Sequence, residues 1–198
     1  MIAIVDYGMG NLKNVYKALK NIGVEAEITS NPACIKEADK IILPGVGAFK
    51  DAIYRINASG LRQVLDESVT QSKPIMGICL GMQLLFEKSY ENGIYEGLGY
   101  IPGKIVKLDV PLKVPHMGWN TLEIVKDDPV FTDIPNGSYA YFVHSYYMEG
   151  SEAFISAYTT YSKRFGVAVQ KDHIYGTQFH PEKSSAVGIR LLKNFVAL

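Results

Sequence analysis

Short unbroken apolar runs alternate with stretches of helical period through the first half of the chain. Residues 2–6 form one such run and end in Tyr7-Gly8-Met9-Gly10-Asn11. Behind that turn Leu12, Val15, Tyr16, Leu19 and Ile22 share one helical face, and Gly23 closes the segment. The same reading predicts strands at 24–29, 40–43 and 74–78 and helices at 48–57 and 61–72. Strands separated by helices at this spacing imply a parallel sheet covered on both faces. Beyond Gly97 the texture changes to short strands, predicted at 104–108, 121–125, 139–143, 154–161, 167–171 and 174–179, with Gly, Pro, Asn and Asp between them. They read as antiparallel hairpins added to the sheet, because no polar linker divides them from the first half. A helix over 184–198 closes the chain, with Ile189, Leu192 and Phe195 or Val196 toward the core. The expected fold class is α/β: one domain over 1–198, with a mostly parallel central sheet flanked by helices and antiparallel strands added in the second half.

Composition narrows the classes of partner. Twenty basic residues balance twenty acidic ones over 198 residues, so no net field draws the chain to nucleic acid or to an anionic membrane. No apolar run approaches membrane-spanning length, and Met-Ile-Ala-Ile-Val-Asp enters a strand without a basic leader, which points to the cytoplasm. Cys34 and Cys79 lie far apart in unrelated local patterns, so neither a disulfide framework nor a metal knuckle is suggested.

Candidate chemistry centres on Cys79. The strand at 74–78 runs through Gly77-Ile-Cys79-Leu-Gly81 into an amphipathic helix, and Gly-x-Cys-x-Gly at such a junction reads as a nucleophile elbow. Small neighbours let the chain reverse tightly and leave the thiol at the head of the helix, where the thiolate is favoured over the thiol. A lone cysteine in an apolar stretch is otherwise usually a packed core residue. The peptide N–H of Leu80 offers one oxyanion donor, and the glycine-rich Pro44-Gly45-Val46-Gly47 can supply the second from the neighbouring strand end. His180 and Glu182 stand two residues apart after the strand at 174–179. If that strand continues extended, both side chains project to one side, so Glu182 can orient the His180 ring toward Cys79. A surface His–Glu pair competes with this reading. The His-x-Glu of zinc deaminases does not, because the chain lacks the Pro-Cys-x-x-Cys that chemistry needs. Gly8-x-Gly10 is a weak dinucleotide signal, since Lys13 stands where a third glycine belongs. No cofactor is expected. His116 and His144 sit beside aromatic residues, and the residues alone promote neither of them; Trp119 and Tyr139, Tyr141, Tyr146 and Tyr147 fit a core or a partner surface equally well.

Together these segments resemble the class I, triad-type glutamine amidotransferases over nearly the full length. The resemblance is carried by Asp6-Tyr-Gly-Met-Gly-Asn11, Leu43-Pro-Gly-Val-Gly-Ala-Phe49, Gly77-Ile-Cys-Leu-Gly-Met-Gln83 and Gln178-Phe-His-Pro-Glu-Lys-Ser184. Pro115-His-Met-Gly-Trp-Asn120 and Tyr141-Phe-Val-His-Ser-Tyr146 narrow it to the glutaminase subunits that serve a cyclase in histidine biosynthesis. The resemblance implies a flavodoxin-like sheet, with Cys79 as nucleophile, His180 as general base and acid, and Glu182 as its orienter. It implies an oxyanion hole from the Val46 and Leu80 N–H groups, with the Val46 peptide able to switch in or out. Gly47, Gln83, Glu91 and the backbone of Ser145 and Tyr146 would hold glutamine. The implied partner is a (β/α)8-barrel cyclase subunit in a heterodimer, and Asn11, Trp119, Tyr141 and Lys183 would face it. Met9 departs from the pattern where some members carry proline.

Three other readings stand beside this one. A paralogous amidotransferase subunit feeding a surface-polysaccharide sugar synthase would share nearly every motif. A stand-alone cysteine hydrolase would share the sheet and the thiol, and a non-catalytic docking subunit would keep only the fold.

Overall fold

Alternation along the first strand sets the layering. In a computed structural model describing residues 1–198, Ala3 and Val5 join the core on one side of the sheet, and Ile2 and Ile4 join the core on the other. A strand buried on both faces can hold this position only between two layers of helices. The chain runs β1 (Ile2–Val5), α1 (Leu12–Asn21), β2 (Ala26–Thr29), α2 (Pro32–Glu37), β3 (Lys40–Gly45), α3 (Phe49–Ala58), α4 (Leu61–Thr70) and β4 (Ile75–Cys79). A short helix α5 (Leu80–Leu84) leads into β5 (Phe86–Ser89), β6 (Tyr95–Glu96), β7 (Ile101–Lys107), β8 (His116–Thr121) and β9 (Glu123–Ile124). Then follow β10 (Tyr139–His144), β11 (Tyr146–Glu149), β12 (Ile155–Tyr161), β13 (Lys163–Lys171), β14 (Ile174–Thr177) and α6 (Ser185–Ala197).

The central sheet has eight strands in the order β2-β1-β3-β4-β14-β13-β12-β9. Its first five are parallel and the last three antiparallel. Residues of α2, α3 and α4 pack on the Ala3 face, and those of α1 and α6 on the Ile2 face. Strand order turns back between β1 and β3, which opens a crevice at their carboxyl ends where open α/β sheets place their sites. No helix is long and apolar enough to cross a membrane.

Several expectations need correction. The second-half strands do not all extend the central sheet: β11-β7-β5-β6 and the ribbon β10-β8 form separate sheets. The strand at 139–143 is found as β10, but its partner β8 and strands β5, β6 and β11 escaped the sequence reading because their apolar positions are interrupted by Gly, His and charge. Helix α2 was not anticipated either; Asn31 caps it by accepting from Ala33 N–H at 3.0 Å, but six residues are too few to show a period. The helix expected after Cys79 is not amphipathic. It is five residues long and buried throughout, wedged against β3 and β4 before the chain leaves as β5. In α6 the buried face holds Gly188, Leu191, Leu192 and Phe195, so Leu191 takes the place expected for Ile189.

The packing of α5 depends on Gly81, where any Cβ would collide with the Leu43 carbonyl oxygen. Gly23 differs: it ends α1 at φ +77° with open space around its Cα. Gly81→Ala should therefore lower stability by about 3 kcal/mol or more through backbone displacement. Gly23→Ala should cost only about 1 kcal/mol, the strain of a left-handed residue bearing a Cβ. Urea midpoints for the two variants check the difference.

Candidate active site

Strand β4 ends at Cys79 with φ 55° and ψ −111°, a backbone conformation that non-glycine residues rarely hold. The glycine on each side makes the reversal possible. A Cβ at Gly77 would sit 2.6 Å from the Met82 Cα, and Gly81 has no room for one at all. The thiol Sγ accepts from Gln178 Nε2 at 3.7 Å and lies 3.8 Å from the Val143 carbonyl oxygen, to which it can donate.

His180 arrives from the next parallel strand, but not by the extended geometry expected. β14 ends at Thr177, and Pro181–Lys183 forms a 3₁₀ turn that folds Glu182 back, so that its Oε1 accepts from His180 Nδ1 at 2.9 Å. A proline whose φ suits the first turn of a helix explains the difference. The His180 backbone is held firmly. Its N–H donates to the Tyr141 carbonyl at 3.0 Å; the Ser184 hydroxyl donates to the His180 carbonyl at 2.7 Å and accepts from Tyr141 N–H at 3.0 Å. Both side chains of the pair are buried. Burial alone would disfavour a charged ring, yet hydrogen bonding and charge from Cys79 and Glu182 outweigh it and raise the His180 pKa to about 9.

A cleft of about 330 Å³ opens in front of the thiol, and Val46, Gly47, Leu80, Gln83, Glu91, Ser145 and Tyr146 line it together with Cys79 and His180. All the side chains and peptides expected around glutamine are thus brought together. Glu91 carries a second duty: its Oε2 accepts from Phe49 N–H at 2.7 Å and caps α3, whose own N-cap residue, Ala48, has no side-chain acceptor. The glycines of the 44–47 loop differ in purpose. Gly45 is buried, and a Cβ there would strike the Tyr7 hydroxyl, which donates to the Pro44 carbonyl at 2.7 Å. Gly47 is exposed at φ +105° and Val46 is 42% exposed, so backbone freedom in this loop begins after Gly45.

The four residues expected at a partner surface fall into neighbouring positions. Trp119 and Tyr141 are cross-strand partners in the β10-β8 ribbon with ring centroids 5.9 Å apart, and Lys183 Nζ lies 5.8 Å from the Tyr141 ring centroid. Asn11 heads α1, which packs beside the Pro181–Lys183 turn. Exposed Met117 and Tyr139 share the ribbon's outer face with Trp119. The sequence reading left Tyr139 open between core and partner surface and missed Met117, as it missed Gln178, His144 and Tyr7 in the site itself. Gln178 carried a usable signal, because it stands two residues before His180 on a strand end. No group of three or more His, Cys, Asp or Glu side chains converges as metal ligands would.

Residues 3–198 match the family model for class I glutamine amidotransferases, and the chain belongs to that family. It is 51% identical, over the full length of both chains, to the imidazole glycerol phosphate synthase subunit HisH 1 of Campylobacter jejuni strain RM1221. It is 50% identical to the corresponding HisH subunit of Caldanaerobacter subterraneus subsp. tengcongensis, over 98% of this chain and 97% of that one. Among solved structures, one described as a glutamine amidotransferase superposes with a TM-score of 0.79 over 100% of this chain and 98% of its own, at 17% identity, a likeness of fold.

The raised His180 pKa has a consequence for stability. Between an unfolded value of about 6.5 and a folded value of about 9, the native state binds the extra proton. The stabilisation is therefore complete below pH 6.5 and is lost as pH rises through 9, with a ceiling of roughly 3 kcal/mol. Glu182→Gln removes the carboxylate and should both lower the His180 titration midpoint and flatten this decline. Imidazole NMR titration, with urea midpoints between pH 6.5 and 9, checks both effects.

Proposed function

We propose that the chain is the glutaminase subunit of an imidazole glycerol phosphate synthase and supplies ammonia to a cyclase subunit in histidine biosynthesis. The observation that carries this reading is Cys79 on a strained elbow facing a buried His180–Glu182 pair, in a chain matched end to end by subunits of that synthase. Cys79 attacks the side-chain amide carbon of glutamine, and the oxyanion that forms meets the N–H groups of Leu80 and Val46. His180 gives its proton to the departing ammonia, then takes one from the water that hydrolyses the γ-glutamyl thioester to glutamate. Glu182 holds the ring through Nδ1 and stabilises the imidazolium. Gln83, Gly47, Glu91 and the 145–146 backbone hold the substrate. Ammonia passes to a (β/α)8-barrel cyclase docked over Asn11, Trp119, Tyr141 and Lys183, in a cytoplasmic heterodimer. The paralogous role in polysaccharide synthesis would leave a histidine auxotroph unrescued, so complementation of a strain lacking its own glutaminase subunit tests the pathway.

In the assembled complex, Cys79→Ala should abolish glutamine-dependent synthesis and leave synthesis from ammonium salts intact, because thiol and acceptor chemistry sit on separate chains. Equal loss of both activities in a correctly assembled variant would sink the division of labour.

The docking face predicts an order of effects. A fully desolvated aromatic anchor contributes roughly 2 kcal/mol or more to association, whereas a charge at a wet rim contributes far less. Trp119 is 53% exposed in the free chain and so has area to bury. Trp119→Ala should weaken cyclase binding more than Lys183→Ala, as measured by calorimetric titration of the two subunits.

A further inference from the structure

The inner face of the β10-β8 ribbon carries a run of hydrogen bonds whose direction is fixed at both ends. His144 Nδ1 lies 2.8 Å from the Tyr146 carbonyl oxygen, which can only accept, so Nδ1 bears the proton. In the neutral ring Nε2 is then an acceptor, and it faces His116 Nδ1 at 2.9 Å, which must donate. His116 Nε2 in turn accepts from Asn120 Nδ2 at 3.2 Å. The Asn120 amide is oriented independently: its Oδ1 accepts from Thr121 N–H at 2.8 Å and its Nδ2 donates to the Thr160 carbonyl at 3.0 Å. Burial holds both rings neutral, lowering His144 to about 3 and His116 to about 4. Each ring nitrogen therefore has one defined role.

The end of this run is the wall of the cleft. The Tyr146 carbonyl that accepts from His144 also receives Gln83 Nε2 at 3.3 Å; Gln83 donates to Gln178 Oε1 at 3.0 Å, and Gln178 donates to the thiol. His116 does not line the cleft and is 3% exposed, so it can affect a ligand there only through what it holds. We propose that His116 and His144 are positioning residues for glutamine: a hydrogen-bond relay from Asn120 through both rings fixes the Tyr146 carbonyl, and with it the Gln83 amide and the 145–146 wall. This rests on the glutaminase reading and adds to it two residues that touch no reacting atom. A pair that merely filled the core would need only the ring stacking, with Phe142 at 4.8 Å and Tyr161 at 4.3 Å on either side of His116.

His116→Phe keeps a ring in that stack and removes the donor to His144. His116→Asn loses the ring but places an amide N–H where Nδ1 stands. The probe is 6-diazo-5-oxo-L-norleucine, a glutamine-shaped electrophile, titrated against the full chain to give a saturation constant and a limiting labelling rate, with iodoacetamide reporting bare thiol reactivity. His116→Phe should raise the saturation constant roughly two- to tenfold, the scale of one neutral hydrogen bond, with the limiting rate and the iodoacetamide rate within about twofold of wild type. His116→Asn should recover most of the loss. An unchanged constant in folded His116→Phe, or equal damage from both variants, overturns the relay. If His116→Phe fails to fold, Asn120→Ala and the ¹⁵N shifts of His144 in the wild-type chain decide: a weaker constant with a protonated Nδ1 supports the relay, and an unchanged constant or a bare Nδ1 removes it. Non-saturable labelling of the wild-type chain would instead overturn the glutaminase reading, and the relay's role with it.

Discussion

The close approach of α5 to β3, backbone against backbone at Gly81 and Leu43, is the constraint from which the site follows. It holds Cys79, the last residue of β4, beside the end of β3, so the thiol and the 44–47 loop share one crevice. It also forces Cys79 into a conformation that costs on the order of 1–3 kcal/mol. That cost is offset locally. Leu80, Met82 and Leu84 in the same helix are all at least 98% buried, and each large apolar side chain removed from water contributes about 1.5–3 kcal/mol. The strain persists because the helix that creates it is also among the best packed in the molecule.

Three buried histidines show how environment divides one residue type into different tasks. Burial acts on each in the same sense, against the charged ring. At His116 and His144 no carboxylate answers it, and both pKa values fall, leaving neutral rings suited to passing a directed hydrogen bond. At His180 the Glu182 carboxylate and the Cys79 sulfur outweigh burial, and the ring holds its proton to about pH 9. A charged donor beside the thiol suits protonation of a leaving amine; a neutral relay suits geometry. No property of the imidazole itself separates these uses, only the group at the other end of the hydrogen bond.

The sequence was legible where a residue type is dictated by one strong local demand. Gly77 and Gly81 around Cys79, and the apolar runs of β1, β3 and β4, each follow from a single requirement, and both the parallel half of the sheet and the strand ends that border the cleft could be read from them. The His180–Glu182 contact was anticipated for a reason the fold does not use, since a 3₁₀ turn rather than an extended strand brings the two together. Legibility failed where partners are set only by tertiary pairing. Gln178, His144 and Tyr7 are ordinary residues in their own segments; what makes them part of the site is the register of β14 on β4, the 144–146 bend, and the meeting of two strand-end loops. The ribbon was half hidden for the same reason: β10 was legible at 139–143, but His116 and Gly118 break the apolar alternation of its partner β8.

That ribbon joins the two halves of the proposed function through strand geometry alone. Side chains alternate across it, so His116, Asn120 and His144 face inward while Met117, Trp119, Tyr139 and Tyr141 belong to the outer set. The inner set ends at the wall of the cleft, and the outer set forms the surface we assign to the cyclase. A one-residue slip in register would exchange the two sets, which makes the pairing of Tyr141 with Trp119 and of His144 with His116 a single structural commitment. With only two strands, the ribbon is the least reinforced sheet in the molecule, and its inner hydrogen bonds and outer aromatics each favour the same register. A partner that covers the outer face therefore stabilises the arrangement that holds the Tyr146 carbonyl, and by linkage a ligand that orders the cleft stabilises the face the partner meets. In the proposed complex, docking and glutamine binding would thus act on one strand register.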